Sequence, residues 1–573
     1  MLFAACGADR GGGDSAKQPT GANGPSTQQE WFVERARDTG LDFVHFNGMS
    51  GEFYIPENMA PGAGLLDYDN DGDLDVYLVQ GQMLGPGKTL SQARFPPAAP
   101  PRGRLFRNDL KAGSGATPTL QFVDVTAESG IDARVYGMGV ATGDYNNDGC
   151  VDLYLTNFGR NQLLRNNCDG TFRDASRESG TDDDGWSVPA AFLDYDRDGW
   201  LDLYVGHYLD YSIEKDLKCL GRTGEEDYCH PSAYQPQPSR LYRNNRNGSF
   251  TNVTARALVG ARFGPALGVT TADFNADGWI DIYVANDTQE NQLWTNQRDG
   301  TFRNTALLAG AALTVDGDAE ASMGVDAGDF DNDGDEDLFM TELTSQGANL
   351  YVNDGSGTFE DRSARSELGP RSVPFTGFGA AWFDFDNDGW LDVLTVNGTI
   401  TAIEAQRRLN DPFPQRQVKQ LFRNLGNGRF EDVSSRAGGV FRNASVGRGA
   451  AFGDIDNDGD VDVVVANDSG PTELLVNETG TRKHWLGLKL AGVKGRDMLG
   501  ARVGVTSQNG STRWRRARAD ASYASANDPR VLVGLGDSTT PARVRVQWPS
   551  GRVEEWSDVA IDRYTTLTEG SGR

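Results

Sequence analysis

Residues 378–392 read FGAAWFDFDNDGWLD, and the last nine follow the phrase Asp-x-(Asp/Asn)-x-Asp-Gly-x-x-Asp. The phrase occurs seven times, at 67–75, 144–152, 194–202, 273–281, 329–337, 384–392 and 454–462. Side-chain oxygens stand at position 1 (Asp67, Asp144, Asp194, Asp273, Asp329, Asp384, Asp454) and position 3 (Asp69, Asn146, Asp196, Asn275, Asp331, Asp386, Asp456). They recur at position 5 (Asp71, Asp148, Asp198, Asp277, Asp333, Asp388, Asp458) and position 9 (Asp75, Asp152, Asp202, Asp281, Asp337, Asp392, Asp462). Carboxylates crowded this closely repel one another by roughly 1–4 kcal/mol per pair at ~4 Å. Oxygen ligands at alternate positions suit a hard divalent cation, calcium above all.

Position 6 is glycine in every copy, from Gly72 to Gly459, as a sharp turn with positive φ requires. Position 7 holds Asp73, Cys150, Trp200, Trp279, Asp335, Trp390 or Asp460, types so unlike that only the backbone carbonyl serves as a common ligand. Asn146 and Asn275 keep an oxygen but lose a charge, so those two sites should bind more weakly. The expectation is about seven calcium ions, one per loop, in a structural role.

An EF-hand needs a bidentate Glu at position 12 and a helix after the loop. Position 12 here is Leu78, Leu155, Val205, Val284, Met340, Thr395 or Val465. The runs that follow the loops, such as LDVYLV, IDIYVA and VDVVVA, are β-branched and aromatic and read as strands. Hairpin turns alone account poorly for seven copies with one ligand spacing. Each loop also lies inside a longer unit. A Gly/Ala-rich stretch precedes it, and a third element (RLFRN, QLLRN, RLYRN) and a fourth (FVDVT, FRDAS, FTNVT) follow. Four short strands per unit predict a radial propeller. The fold class is therefore all-β: a seven-bladed β-propeller followed by a small β-rich C-terminal domain. Seven third strands meet only six internal fourth strands, and WFVER at 31–35 supplies the missing one, closing the ring and removing its edge.

These units resemble the FG-GAP (VCBS-type) repeats of integrin α-chain propellers, over roughly residues 29–478. The resemblance implies one cation per blade and says little about ligand. From 479 to 573 the pattern changes to apolar/polar alternation broken by Gly and Pro. There GRDMLGARV, LVGLGD and WPSG resemble the ASPIC/UnbV domain, and the combination is similar to the cartilage acidic protein family in a bacterial member. No catalytic motif attaches to that domain.

From 478 onward there are 16 Lys and Arg against 10 Asp and Glu, net +6, so the rest of the chain carries −34 of the total −28. The basic run Arg513, Arg515, Arg516 and Arg518 around Trp514 reads as a solvated strand face or as a surface docked on the acidic propeller, and no nucleic-acid partner is expected.

Phe3-Ala4-Ala5-Cys6 resembles a bacterial lipobox, with Phe in place of the usual Leu, and the Gly/Ser/Pro/Gln-rich residues up to 28 read as a tether. Lipidation at Cys6 is the expectation, with a membrane partner only through that anchor. The other cysteines pair locally, Cys150 with Cys168 and Cys219 with Cys229. Neither pair is CxxC, which speaks against zinc and for disulfides in an oxidising compartment. The chain is thus expected outside the cytoplasm, as a cell-surface or periplasmic lipoprotein or a secreted protein.

Three insertions, at about 80–103, 206–239 and 397–418, fall between second and third strands, opposite the acidic loops. Phe95, Tyr208, Tyr211, Tyr228, Tyr234, Arg407 and Arg408 there, with Trp186 from a neighbouring loop, either make a candidate platform for a protein or glycan ligand or pack the loops down. The rival reading is a propeller enzyme acting on polysaccharide, a lyase or hydrolase, with Glu225, Glu226, Asp227, His207 and His230 as its acids and bases. No nucleophile elbow, HExxH or triad signature supports it, so the expectation is a binding protein without catalytic residues.

Overall fold

The computed structural model describes residues 29–111, 119–221, 224–492, 495–507, 510–540 and 542–573. Cys6 and the tether at 1–28 lie outside the described residues. The rest is all-β, with a few short helical turns.

Seven four-stranded antiparallel units follow one another. The first comprises Ala63–Leu66, Asp75–Leu78, Arg104–Asn108 and Phe122–Asp124, from inside to outside. The inner strands of the others are Tyr136–Gly143, Asp184–Leu193, Ala266–Ala272, Val325–Gly328, Gly377–Phe383 and Gly447–Gly453. Each inner strand touches the next, and the last touches the first, so the units form a closed ring of blades. The outer strand of the seventh blade is Phe32–Glu34, paired antiparallel with Glu473–Asn477 in the register Phe32↔Asn477 and Glu34↔Leu475. The N-terminal segment thus closes the ring, as the count of strands predicts.

The inner strands are rich in Gly and Ala because backbone approaches them from both sides. A Cβ on Gly62 would lie 1.8 Å from the Ala524 carbonyl oxygen, and one on Gly139 would lie 2.8 Å from those of Ala524 and Val188. Outside this ring each gap between blades holds an aromatic and aliphatic core, such as Phe32, Phe383, Leu421 and Phe452 between the sixth and seventh.

Ala524 belongs to the C-terminal domain. That domain has a three-stranded sheet (Val531–Gly536, His484–Ala491, Tyr564–Thr568, the last two parallel) and a four-stranded one (Thr512–Arg516, Arg502–Thr506, Ala542–Gln547, Val553–Val559). Its own core includes Leu486, Val503, Val533, Val546 and Trp548. Between the two sheets the segment 517–530 leaves the domain and runs down the central channel of the propeller. Ser522 exchanges backbone hydrogen bonds with Val325, and Ala526 donates to the Ala63 carbonyl while its own carbonyl accepts from Leu65. The Val140 N–H donates to Ala524, the Ala521 N–H to Val269, and the Ser522 hydroxyl to Ala450. At the tip Tyr523 is fully buried, its hydroxyl donating to the Met59 carbonyl at 2.6 Å and its ring edge-on to Phe378 at 4.9 Å.

Candidate metal centre

All seven acidic loops join first to second strands, so they share one face of the ring. Within each loop the position 5 carboxylate accepts the N–H of position 7, for example Trp390 to Asp388 at 3.0 Å. In five loops the position 1 carboxylate accepts the N–H groups of positions 5 and 6, as Asp384 does from Asp388 and Gly389. These are Asx turns, in which a side chain stands in for a backbone acceptor.

Position 9 has a second duty that the spacing does not announce. One oxygen of each buried Asp accepts the N–H of position 2, and the other accepts the N–H of the Asn that ends the third strand. Asp392 does so from Phe385 at 3.2 Å and Asn424 at 2.7 Å. The same Asn side chain donates into the preceding blade, Asn424 Nδ2 to the Phe330 carbonyl at 2.9 Å. Asn108, Asn166, Asn244, Asn296, Asn353 and Asn477 repeat this contact in the other six blades. The Asn in RLFRN and its cognates is therefore the joint between blades. Its recurrence in the sequence was the available signal.

Position 3 behaves differently. The Oδ1 atoms of Asp69, Asn146, Asp196 and Asp386 are buried without a hydrogen-bond partner, as is Oδ1 of Asp460 at position 7. Oxygens of positions 1, 3 and 9 lie within 4.8 Å of one another in the third and sixth loops, and those of positions 1, 3 and 5 do so in the first and fifth. An unsatisfied position 3 oxygen beside carboxylates converging at that separation fits a hard cation. Arginines of the third strands temper the charge. Arg423 reaches Asp386 at 2.7 Å and Asp388 at 3.1 Å, and Arg243 reaches Asp196 at 2.8 Å. Burial, then the carboxylates of Asp388 and Asp386, push Asp384 up to about 8. Burial and Asp458 push Asp456 to about 8, and burial pushes Asp144, Asp329 and Asp454 to about 7. Cys150 at position 7 of the second loop is joined to Cys168, and Cys219 to Cys229.

The C-terminal domain covers this face. Arg496 donates to the Gly199 carbonyl and Arg502 to that of Gly334, while Arg515 donates to that of Gly389 at 3.2 Å. Arg516 pairs with Glu336 at 3.0 Å, Arg518 with Asp326 at 2.6 Å, and Lys489 with Asp67 at 3.3 Å. The basic run is a docking surface for the acidic propeller, and every one of these contacts is intramolecular.

On the insertion face the structure decides between display and packing. Trp186 lies on an inner strand rather than a loop, and with Tyr208, Tyr211 and Tyr234 it is buried in one aromatic cluster. These rings pack the insertions down and are not a platform. Packing against Tyr136 and Met138 was the competing demand on them. Phe95 packs tilted against Phe413 at 4.5 Å, Arg407 pairs with Glu225 at 3.2 Å, and Arg408 pairs with Glu404. Lys218 reaches Glu52 at 3.1 Å, and the Tyr228 hydroxyl donates to Glu57 at 3.1 Å. The three insertions and residues 52–57 therefore form one continuous lid over the channel. His207 and His230 do not pair: His207 is buried against Asp183 and the Pro238 carbonyl, and His230 bonds Ser232. Glu226 and Asp227 form a two-residue strand with Cys219 and Leu220.

The FG-GAP-like repeat family matches residues 144–205, 232–284, 273–340, 329–395 and 415–465, and the ASPIC and UnbV family matches 492–573. Mouse cartilage acidic protein 1 is 24% identical over 372 residues, covering 62% of this chain and 54% of the relative, so the chain spans about half the length of that relative. Among solved structures, an Agrocybe aegerita lectin that recognises non-reducing terminal N-acetylglucosamine is similar at TM-score 0.35 and 15% identity, over 66% of this chain and 90% of the lectin. A Bacillus licheniformis rhamnogalacturonan lyase gives 0.27 and 12%, over 75% and 90%. Neither structural likeness bears on function. The two family matches, in this order along one chain, make it an FG-GAP-repeat protein with a C-terminal ASPIC and UnbV domain, similar to cartilage acidic protein 1.

Proposed function

We propose that this chain is an extracytoplasmic calcium-binding scaffold that presents its lid to a protein or glycan ligand and performs no catalysis. The observation that carries this reading is the occupation of the channel. Residues 517–530 enter it from the acidic face and the fused insertions cap the other end, an arrangement that supports a binding role over a polysaccharide enzyme built around a central funnel. Calcium is structural in this reading. The orphaned oxygens of Asp69, Asn146, Asp196 and Asp386 are its ligands together with positions 1, 5 and 9 and the position 7 carbonyl. Two disulfides suit an oxidising, extracellular or secreted setting, where calcium is plentiful.

The test has two arms on the full chain. Bound metal counted by mass spectrometry, with melts in millimolar calcium and in chelator, should give about seven ions and a raised Tm, since calcium at tenfold above Kd adds about 1.4 kcal/mol per site. No bound calcium and no shift would reject the metal. Protein and glycan arrays then compare the wild type with Leu220→Asp and Leu409→Asp, whose side chains stand 70% and 82% exposed on the lid. Binding that survives both substitutions would reject the lid as the ligand face.

A further inference from the structure

The joint between the first two blades and the C-terminal domain encloses a cavity of about 400 Å³. Small-molecule sites run roughly 300–1,000 Å³ and favour domain interfaces. Its walls are apolar and come from both domains: Leu66, Leu74 and Val151 on one side, Met498, Leu499 and Ala519 on the other. Protein interiors are close-packed, so an apolar space of this size at a joint otherwise so closely bonded stands out against its surroundings.

The rim shows what charge the occupant carries. Lys489 is paired with Asp67 at 3.3 Å, and Arg530 is held by Asp528 at 2.9 Å while it lies over the Tyr564 ring at 4.3 Å. Asp497 lines the cavity, and its Oδ2 accepts the Asp144 N–H at 2.9 Å. Each charged group thus already has a partner, and taking an unpaired ion into apolar walls is costly.

We propose that this cavity binds a compact, uncharged, mostly apolar molecule. The site is separate from the lid, and its ligand joins the propeller to the C-terminal domain.

N-phenylnaphthylamine, an uncharged apolar amine with one N–H, is the probe, titrated by fluorescence into the full chain in calcium. One probe should bind per chain. Val151→Trp, which fills the space from the propeller side, should weaken binding by at least about tenfold with the melting temperature retained. If that variant melts early, Thr566→Trp repeats the test from an exposed position on the mouth. Absence of binding, or binding that neither Trp variant reduces, overturns the site.

Discussion

Asn457, at position 4 of the seventh acidic loop, donates its Nδ2 to the carbonyl of Gly72 in the first, at 3.3 Å. The same link runs from Asn70 to Gly149, Asn147 to Gly199, Asn332 to Gly389 and Asn387 to Gly459. The acidic loops are thus roped to one another around the ring. All five asparagines have positive φ, between 52° and 61°, where Asn is tolerated better than other non-glycine residues. The fourth loop has Ala276 instead, and there Arg502 of the C-terminal domain takes the vacant Gly334 carbonyl. In the third loop Arg197 lies over Trp279 and donates to Pro549.

Asn387 tests the rope, since it is fully buried and also reaches the Gly480 carbonyl at 3.1 Å. Asn387→Gly should cost about 1 kcal/mol for the lost hydrogen bonds. Asn387→Ala should cost about 1 kcal/mol more, because alanine resists a φ of 52°. Denaturant titration of the two variants decides: equal losses would show that backbone conformation contributes nothing at this position.

Tyr523 tests the channel segment. Tyr523→Phe removes the bond to Met59 and should cost about 1 kcal/mol, while Tyr523→Ala should cost about 3–5 kcal/mol. Calorimetry should show one transition moving for both domains. Two separate transitions in the wild type would mean that the domains are independent.

The sixth loop tests the metal reading by substitution. Asp388→Ala should lower the calcium-dependent melting shift by about one site's share, ~1.4 kcal/mol at tenfold saturation. An unchanged shift would exclude Asp388 as a ligand. The variant also frees Arg423, so the melt in chelator serves as its reference.

Acidity gives a further check. Asp384 and Asp456 hold their protons to about 8, and Asp144, Asp329 and Asp454 to about 7, each raised above the ordinary 3.8. A raised carboxyl binds its proton more tightly folded than unfolded. Its contribution is therefore complete below about pH 4 and is lost as pH climbs through the folded value. Metal-free protein should lose stability between about pH 4 and 8, and millimolar calcium should flatten that slope, as denaturant midpoints across the range would reveal. A metal-free midpoint that rises over this window would contradict the assignment.

The ring was legible because its elements repeat. Asp-Gly loops, Gly/Ala inner strands and the Arg-Asn third strand each recur, and the missing fourth strand pointed to residues 31–35. The channel segment was not legible. Ala517 to Pro529 alternates alanine with polar residues at first and holds no apolar run, and its burial comes from six strands of another domain rather than from a hydrophobic pattern of its own. The lid was legible only as a pair of alternatives. Tyr208, Tyr211 and Trp186 read equally as displayed or packed rings in sequence, and they lie over a channel whose mouth demanded filling. Position 9 was read as a ligand, while its role as the joint to Asn424 and its cognates depends on a neighbouring blade that spacing cannot see.

Residues 32–34 shut the ring, and residues 517–530 stand inside it. One piece comes from the beginning of the chain and the other from near its end. Repeat proteins ordinarily add units one at a time, each settled by its neighbour. Here the innermost contacts of every early blade await a segment made hundreds of residues later, so the most local of architectures acquires long-range folding. During synthesis the blades must stand around an unfilled axle hole, their Gly-rich inner edges bare, until the ASPIC and UnbV domain arrives to serve as the axle.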